Sequence, residues 1–453
     1  MIFLWGGRHI QCVGDFEMKN NSLLKSGYFR IHDDVKLRRE YFGGVAFHSK
    51  TGTMLEVDDE MYNFLYWLRQ LGEINTNTIT KTKRIHDLLP ILLSLEIIIF
   101  CTLSSNIPVT KQQIVTTQDS HMQDFILSAP ETVHLAVTYR CLESCLDCYA
   151  HKYSSNGELN TADICSVITN IAEHGVFQLA IGGGEPFIRP DLGEIVYHAT
   201  KQGLVVHVTT GQYTIGYHHS EVLKYAKSLH VGIRSELLIL DTNKTLDKLR
   251  MLVKCATESD TLIGANIIIT QFTIQHLHQL VELLVSCGFQ RIIFLRYKPT
   301  HNATRWQNEN PNKETLQIFE EGLFHIKRTY PQLMVRLDCA AAFLMKGLDE
   351  DIALQSGIKG CVAGDRILSV SPDGSVYPCS QLVGADFCAG NIAHNSFEKI
   401  WRYSDVLNRY RKYRHSASFI NSVCGKCVAK DFCGGCRIFA NDSLGGESIC
   451  PIE

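Results

Sequence analysis

Val133-His-Leu-Ala-Val137-Thr-Tyr-Arg-Cys141-Leu-Glu-Ser-Cys145-Leu-Asp-Cys148 is the stretch on which the reading turns. Val133–Val137 reads as a strand, and it delivers Cys141, Cys145 and Cys148 to a single loop. Three thiolates on one loop can face one point. They cannot close a structural zinc site without a fourth ligand, whereas an iron–sulfur cluster held by three thiolates keeps one iron open for a small molecule. A zinc site completed from afar and packed free thiols are the alternatives that spacing leaves standing.

Outward from this stretch the chain alternates strands and helices. Strands are expected at Val133–Val137, Phe177–Ile181, Leu204–Thr209, Leu229–Ile233, Leu262–Ile269 and Arg291–Leu295. The helix Thr161–His174 carries Ile164, Val167, Ile168 and Ile171 on one face and stops at Gly175. The helix Thr273–Cys287 carries Leu277, Leu280, Val281 and Leu284 and stops at Gly288. Six β/α units fit in roughly 200 residues, whereas a closed eight-unit barrel takes about 250. Periodicity leaves a partial barrel and an open doubly wound sheet.

Gly182-Gly-Gly-Glu185-Pro186 falls where the second strand ends. Glycines let backbone approach a ligand, and a carboxylate there can hold an ammonium group. Together with Cys141, Cys145 and Cys148, this turn resembles the radical S-adenosylmethionine (radical SAM) family. The resemblance implies an α/β fold, a partial (β/α)6 TIM-like barrel. It also implies a [4Fe–4S] cluster on those three cysteines and SAM bound at Gly182, Gly183, Gly184 and Glu185. The sequence departs from the family pattern in three places. Asp147 stands where an aromatic or His is usual, the strand-three Thr-Asn-Gly reads Thr209-Thr210-Gly211, and the strand-four Ser-x-Asp reads Arg234-Ser235-Glu236. Thr210 is carried over as a SAM contact by position.

Cysteines dominate from about residue 339. Cys361, Gly374 and Cys379 are followed by Cys424-Gly-Lys-Cys427, Cys433-Gly-Gly-Cys436 and Cys450. A pair of zinc knuckles is the alternative on spacing alone. The pattern resembles the SPASM extension of radical SAM enzymes, expected at 339–453 after a barrel at 131–338. By position the resemblance puts an outer auxiliary [4Fe–4S] cluster on Cys424, Cys427, Cys433 and Cys450. It puts an inner one on Cys361, Cys379 and Cys436, with Cys339 as the fourth ligand or an iron left open. Cys388 is ambiguous, and Cys12, Cys101, Cys165, Cys255 and Cys287 read as structural thiols.

Residues 31–110 read as a separate domain with a winged-helix-like order. Strands flank the turn Ser49–Gly52, a helix begins at Asp58-Asp59 with Met61, Phe64, Leu65 and Leu68 on one face, and a second helix near Ile85–Ser94 precedes a strand Glu96–Cys101. With Arg38-Arg-Glu-Tyr-Phe-Gly-Gly44 in its first hairpin, it resembles the PqqD-like domains that bind leader peptides by adding an edge strand. Residues 1–30 look weakly structured, Met1 and Met18 both stand as candidate starts, and residues 102–130 look like a linker.

The whole chain has 453 residues, with 44 Lys+Arg against 47 Asp+Glu, so nothing points to nucleic acid. No apolar stretch reaches the roughly 18–20 residues needed to cross a membrane. An odd 17 cysteines without an export signal suit a reducing cytoplasm better than disulfides. The combined resemblance implies a maturase of a ribosomally made precursor peptide, cleaving SAM to a 5′-deoxyadenosyl radical that abstracts hydrogen from the peptide. Its partners are that peptide, through its leader, and an electron donor of flavodoxin or ferredoxin type. Two other readings are a sulfatase-maturase-like enzyme, disfavoured by Ser380 where those carry Asp, and a non-catalytic iron–sulfur electron-transfer or peptide-binding protein.

Overall fold

The structure, a computed structural model, describes residues 27–76, 83–102, 114–115, 125–141, 145–150, 153, 157–214, 220–300, 302–347, 359–440, 442, 444–447 and 450–451. Cys12 and Met18 lie outside the described residues. The chain forms two compact units: one runs to Ser128 and takes in 173–175, and the other holds Ala129–Ala172 and Val176–Glu453. Among the described residues no helix is long and apolar enough to cross a membrane.

In the first unit the hairpin pairs β2 (Val35–Glu40) with β3 (Gly43–His48), Glu40 opposite Gly43, and β4 (Thr53–Val57) pairs with β3. Asp58 caps the helix Asp59–Leu71 by accepting from the Met61 N–H at 3.0 Å, and Met61, Phe64, Leu65 and Leu68 are buried as the 3.6-residue period requires. The helix Lys83–Ser94 and β6 (Ile98–Cys101) follow. Three strands were not expected, one of them the two-residue β5 (Ile74–Asn75), which pairs antiparallel with Tyr28 and Phe29. Tyr28–Ile31 forms β1, antiparallel to β6, and buries Phe29 and Ile31 on one side. Four residues are too few for a period of two to stand out. Ile114–Val115 forms a strand on β2, inside the segment read as a linker. Arg38 and Glu40 are a fully buried ion pair at 2.6 Å, and the Glu40 carboxylate also accepts from the Ser128 backbone at 2.7 Å.

The second unit is built on one sheet. Its strands, named in chain order after Ile114–Val115 (β7), are β8 (Thr132–Thr138), β9 (Gln178–Gly183), β10 (Val205–Thr210), β11 (Ser228–Gly232), β12 (Leu262–Ile269), β13 (Arg291–Arg296), β14 (Met334–Leu337), β15 (Ile367–Val370), β16 (Ser375–Tyr377) and β17 (Gly390–Asn391). The spatial order is β14-β13-β12-β11-β10-β9-β8-β15-β16-β17. Every pairing from β14 to β15 is parallel, and the last two are antiparallel. The six expected strands are present to within two residues. The helix Thr161–Glu173 buries Ile164, Val167, Ile168 and Ile171. The expected helix Thr273–Cys287 is two: Gln271–Gln275, capped by the Thr270 hydroxyl, and Leu277–Cys287, ended by Gly288.

The cysteine-rich segment does not break away from this sheet. Ile367–Val370 returns to pair in parallel with β8, Ile367 opposite Thr132 and Val370 opposite Leu135. Four fully buried residues cannot be told from a helix fragment by pattern. The return sets the β15–β16 hairpin, and the cysteines that flank it, beside the strand that delivers Cys141.

Candidate active site

The C-terminal ends of β8, β9 and β10 meet at one place. A register irregularity between Ala136 and Thr138 bends β8 just before the cysteine loop. The glycine turn lies backbone-to-backbone on this bend: the Gly184 N–H donates to Thr138 O at 2.7 Å and the Glu185 N–H to Arg140 O at 2.9 Å. Gly183 has φ +117°, and a Cβ there would stand 2.3 Å from Thr138 O; one on Gly184 would stand 2.3 Å from Arg140 O. A Cβ on Gly182 would meet nothing within 4 Å. The first glycine thus fronts open space, while the next two permit the close approach.

Glu185 is buried, and its carboxylate accepts from Phe187 N (3.1 Å), Gly211 N (2.8 Å) and the Thr210 hydroxyl (2.9 and 3.0 Å to the two oxygens). Burial pushes its pKa up, and the donated hydrogen bonds oppose that. Both oxygens are engaged, so the carboxylate braces β9 against β10, and with three donors on about four acceptor positions it keeps room for one more. Thr210, expected as a ligand contact, spends its hydroxyl on Glu185. Replacing Glu185 by Gln turns one acceptor into a donor that faces an N–H. It is expected to weaken SAM binding by about 1–3 kcal/mol, roughly 5–150-fold, at unchanged iron content. Thr210→Val should do the same through the same brace. Weaker binding in the first variant alone would mark Glu185 as a direct ligand contact.

Cys141 and Cys145 are exposed and Cys148 is half-buried. The Cys148 N–H donates to Cys145 O at 3.3 Å, closing a turn. The family-atypical Asp147 accepts from the Tyr297 hydroxyl and from Arg305 Nε at 2.8 Å. Glu236, also atypical, accepts from the same Arg305. Tyr149 is half-buried near Cys148 and Cys379, and burial first, then those thiols, pushes its pKa up to about 12.

The C-terminal cysteines gather in two places. Cys424, Cys427, Cys433 and Cys450 line one pocket with Phe343, Lys346 and Gly435. Cys339, Cys379 and Cys436 each have Cys361 as an electrostatic neighbour. Burial, then adjacent Asp338 and the other thiols, holds Cys339 well up; burial and Cys361 push Cys436 up to about 12. Burial and the neighbouring Glu447, Cys424 and Cys450 push Cys433 up to about 11. Cys388 stays apart and donates to Gly390 O. Several of these sulfurs accept the amide two residues on: Cys379 from Gln381 (3.4 Å), Cys427 from Ala429 (3.4 Å), Cys433 from Gly435 and Cys436 from Ile438.

This donor set fits iron–sulfur clusters. Amides aimed at sulfur stabilise thiolates, and a bound cationic cluster relieves the crowding that raises the bare thiols. A single zinc ion would draw four sulfurs to about 2.3 Å from one point, whereas among the described residues no three of these sulfurs lie within 4.8 Å of one another. The turn Cys433-Gly-Gly-Cys436 depends on left-handed backbone: Gly435 has φ +72°, and a Cβ there would lie 2.9 Å from Glu447 Cγ and 3.1 Å from Cys424 Sγ. Gly435→Ala is therefore expected to lower iron content by about one four-iron cluster, measured per chain after reconstitution.

Sequence reading missed the groups that join these centres. Arg296, ending β13, makes a bidentate pair with Glu447 at 2.7 and 2.8 Å, and Glu447 accepts the Cys436 N–H at 2.7 Å. Lys298 binds Asp338, next to Cys339, at 2.5 Å. No periodicity announces a partner 151 residues away. In the first unit His32, Asp34 and His48 also come together. Nδ1 of each histidine accepts backbone N–H groups, at 3.1 Å from Asp34 and 3.2 Å from Lys50. That leaves the proton on Nε2 and disfavours a metal there.

The model of the SPASM iron–sulfur cluster-binding domain matches residues 361–428. Mycofactocin maturase MftC of Mycobacterium tuberculosis is 25% identical over 322 residues, 68% of this chain and 79% of the relative. PqqA peptide cyclase of Rhodopseudomonas palustris is 26% identical over 358 residues, 72% of this chain and 87% of the relative. The structure of Streptococcus suis SuiB bound to precursor peptide SuiA superposes with a TM-score of 0.70 at 18% identity, covering 94% of this chain and 100% of that one. That likeness places the fold among known ones.

Proposed function

We propose that this chain is a radical SAM/SPASM enzyme that modifies a ribosomally made precursor peptide by hydrogen abstraction, leading to a crosslink, an epimerised residue or an excised fragment. The observation that carries the reading is the junction of the cysteine loop with the glycine turn, backbone on backbone, at the ends of β8 and β9. Likeness to two peptide-modifying relatives over about 70% of the chain supports the substrate class. We read the parallel units from β8 to β13 as a partial (β/α)6 barrel.

Cys141, Cys145 and Cys148 would hold the SAM-binding cluster, Cys424, Cys427, Cys433 and Cys450 the outer auxiliary cluster, and Cys339, Cys361, Cys379 and Cys436 the inner one. When bound, the reduced core cluster and SAM together supply the 5′-deoxyadenosyl radical. The chain's own part is to shape and insulate. Gly182 leaves room beside the loop, and Glu185 and Thr210 hold two strand ends in register. Arg296 and Glu447 fix the Cys436 loop to β13, and Lys298 sets a positive charge beside Cys339 and Cys436. The first unit would recruit the leader, and a flavodoxin- or ferredoxin-type protein would donate electrons.

Reconstituted protein given SAM and dithionite should release 5′-deoxyadenosine, and the precursor peptide should change mass in step. No release from iron-replete protein would leave only an electron-transfer or peptide-binding role.

A further inference from the structure

We propose that Arg305 is a positioning residue that latches the helix Ala303–Glu309 onto the core cysteine loop. The proposal rests on the reading of that loop given above. The helix is seven residues long and buries none of them. Arg305, Trp306 and Glu309 are half-buried, Trp306 with its ring 6.5 Å from that of Phe439, and the other four residues are exposed, so polar contacts carry much of its attachment. Arg305 makes the strongest: Nε to Asp147 Oδ1 at 2.8 Å and Nη2 to Asp147 Oδ2 at 3.1 Å, a bidentate fork, with Nη2 also on Glu236. Asp147 immediately precedes Cys148, and Glu236 lies in the helix Ser235–Leu240 that follows β11. One guanidinium therefore joins three separate segments. The Tyr297 hydroxyl is a further partner of Asp147, and Trp306 Nε1 donates to Tyr297 O at 3.4 Å.

The two atypical acidic residues acquire one purpose: each is a carboxylate for Arg305. Arg305 and Asp147 keep 21% and 18% of their side-chain surface exposed, so water and salt reach the pair. Such a pair weakens as ionic strength rises. When the fork opens, the helix keeps its Trp306 contacts and the Glu309 carboxylate on the Phe272 N–H (3.2 Å), but the turn that carries Cys145 and Cys148 loses its outer support. Closed, the latch fixes those thiols; open, it frees them for loading.

The test uses full-length, metal-free protein and needs neither SAM nor peptide, so it stands even if the radical SAM reading fails. Iodoacetamide labelling followed by mass spectrometry gives the alkylation rates of Cys145, Cys148 and, as a reference, Cys427. Arg305→Gln should raise the first two several-fold and leave Cys427 unchanged. Arg305→Lys, which keeps the charge without the fork, should fall between. Asp147→Asn should also raise both rates, and the double variant should add less than the sum of the two, because both break the Asp147–Arg305 fork. High salt should move the wild-type rates the same way, and amide exchange over 303–309 should quicken in parallel. In loaded protein, Arg305→Gln should raise KM for SAM more than it lowers kcat. Equal acceleration at Cys427 would mean general loosening and would overturn the proposal, as would unchanged rates at Cys145 and Cys148.

Discussion

Alanine at Cys141, Cys145 and Cys148 together is expected to abolish SAM cleavage while removing only about four of about twelve bound irons. The separation follows from the architecture. These three thiols sit on a loop after β8. The outer four line their own pocket, braced by Glu447 and the glycine turn. The inner group gathers around Cys361. Among the described residues, neither C-terminal group takes in a cysteine of the core loop. Iron content and 5′-deoxyadenosine release from the same preparation check the result. A triple variant that still cleaves SAM would move the reaction away from this loop. Loss of all iron would show the three centres to be interdependent.

Removal of the first unit should separate catalysis from recruitment. A chain starting at Ala129 is expected to keep its clusters and its slow SAM cleavage without peptide, yet to lose most turnover of a full-length precursor. A tethered leader keeps the core peptide at high effective concentration, and that gain reaches about 10²–10⁴-fold. Supplying the first unit as a separate polypeptide should restore part of the activity. If the unit were merely a cap, its loss would expose apolar surface and lower iron loading too. Full precursor turnover by the truncated chain would exclude leader recruitment by this unit.

Periodicity and spacing determined much by themselves. The strand-helix alternation from 131 onward and the buried faces of Thr161–Glu173 and Leu277–Cys287 are local patterns, and local patterns survive without a partner. So do the loop of Cys141, Cys145 and Cys148 and the glycine turn, because each function sits within a few residues. The short β1 and β15 escaped because four residues carry too little period, and their identity as strands comes from neighbours far along the chain. Tertiary structure alone decided that β15 lies against β8, which brings Cys361 and Cys379 back to the sheet. It alone showed that Glu185 and Thr210 are hydrogen-bonded to each other across two strand ends. It alone joined Asp147 to Arg305 and Glu236, and Arg296 to Glu447. Charge pairing and thiol clustering depend on distance through space, and a linear pattern records only distance along the chain.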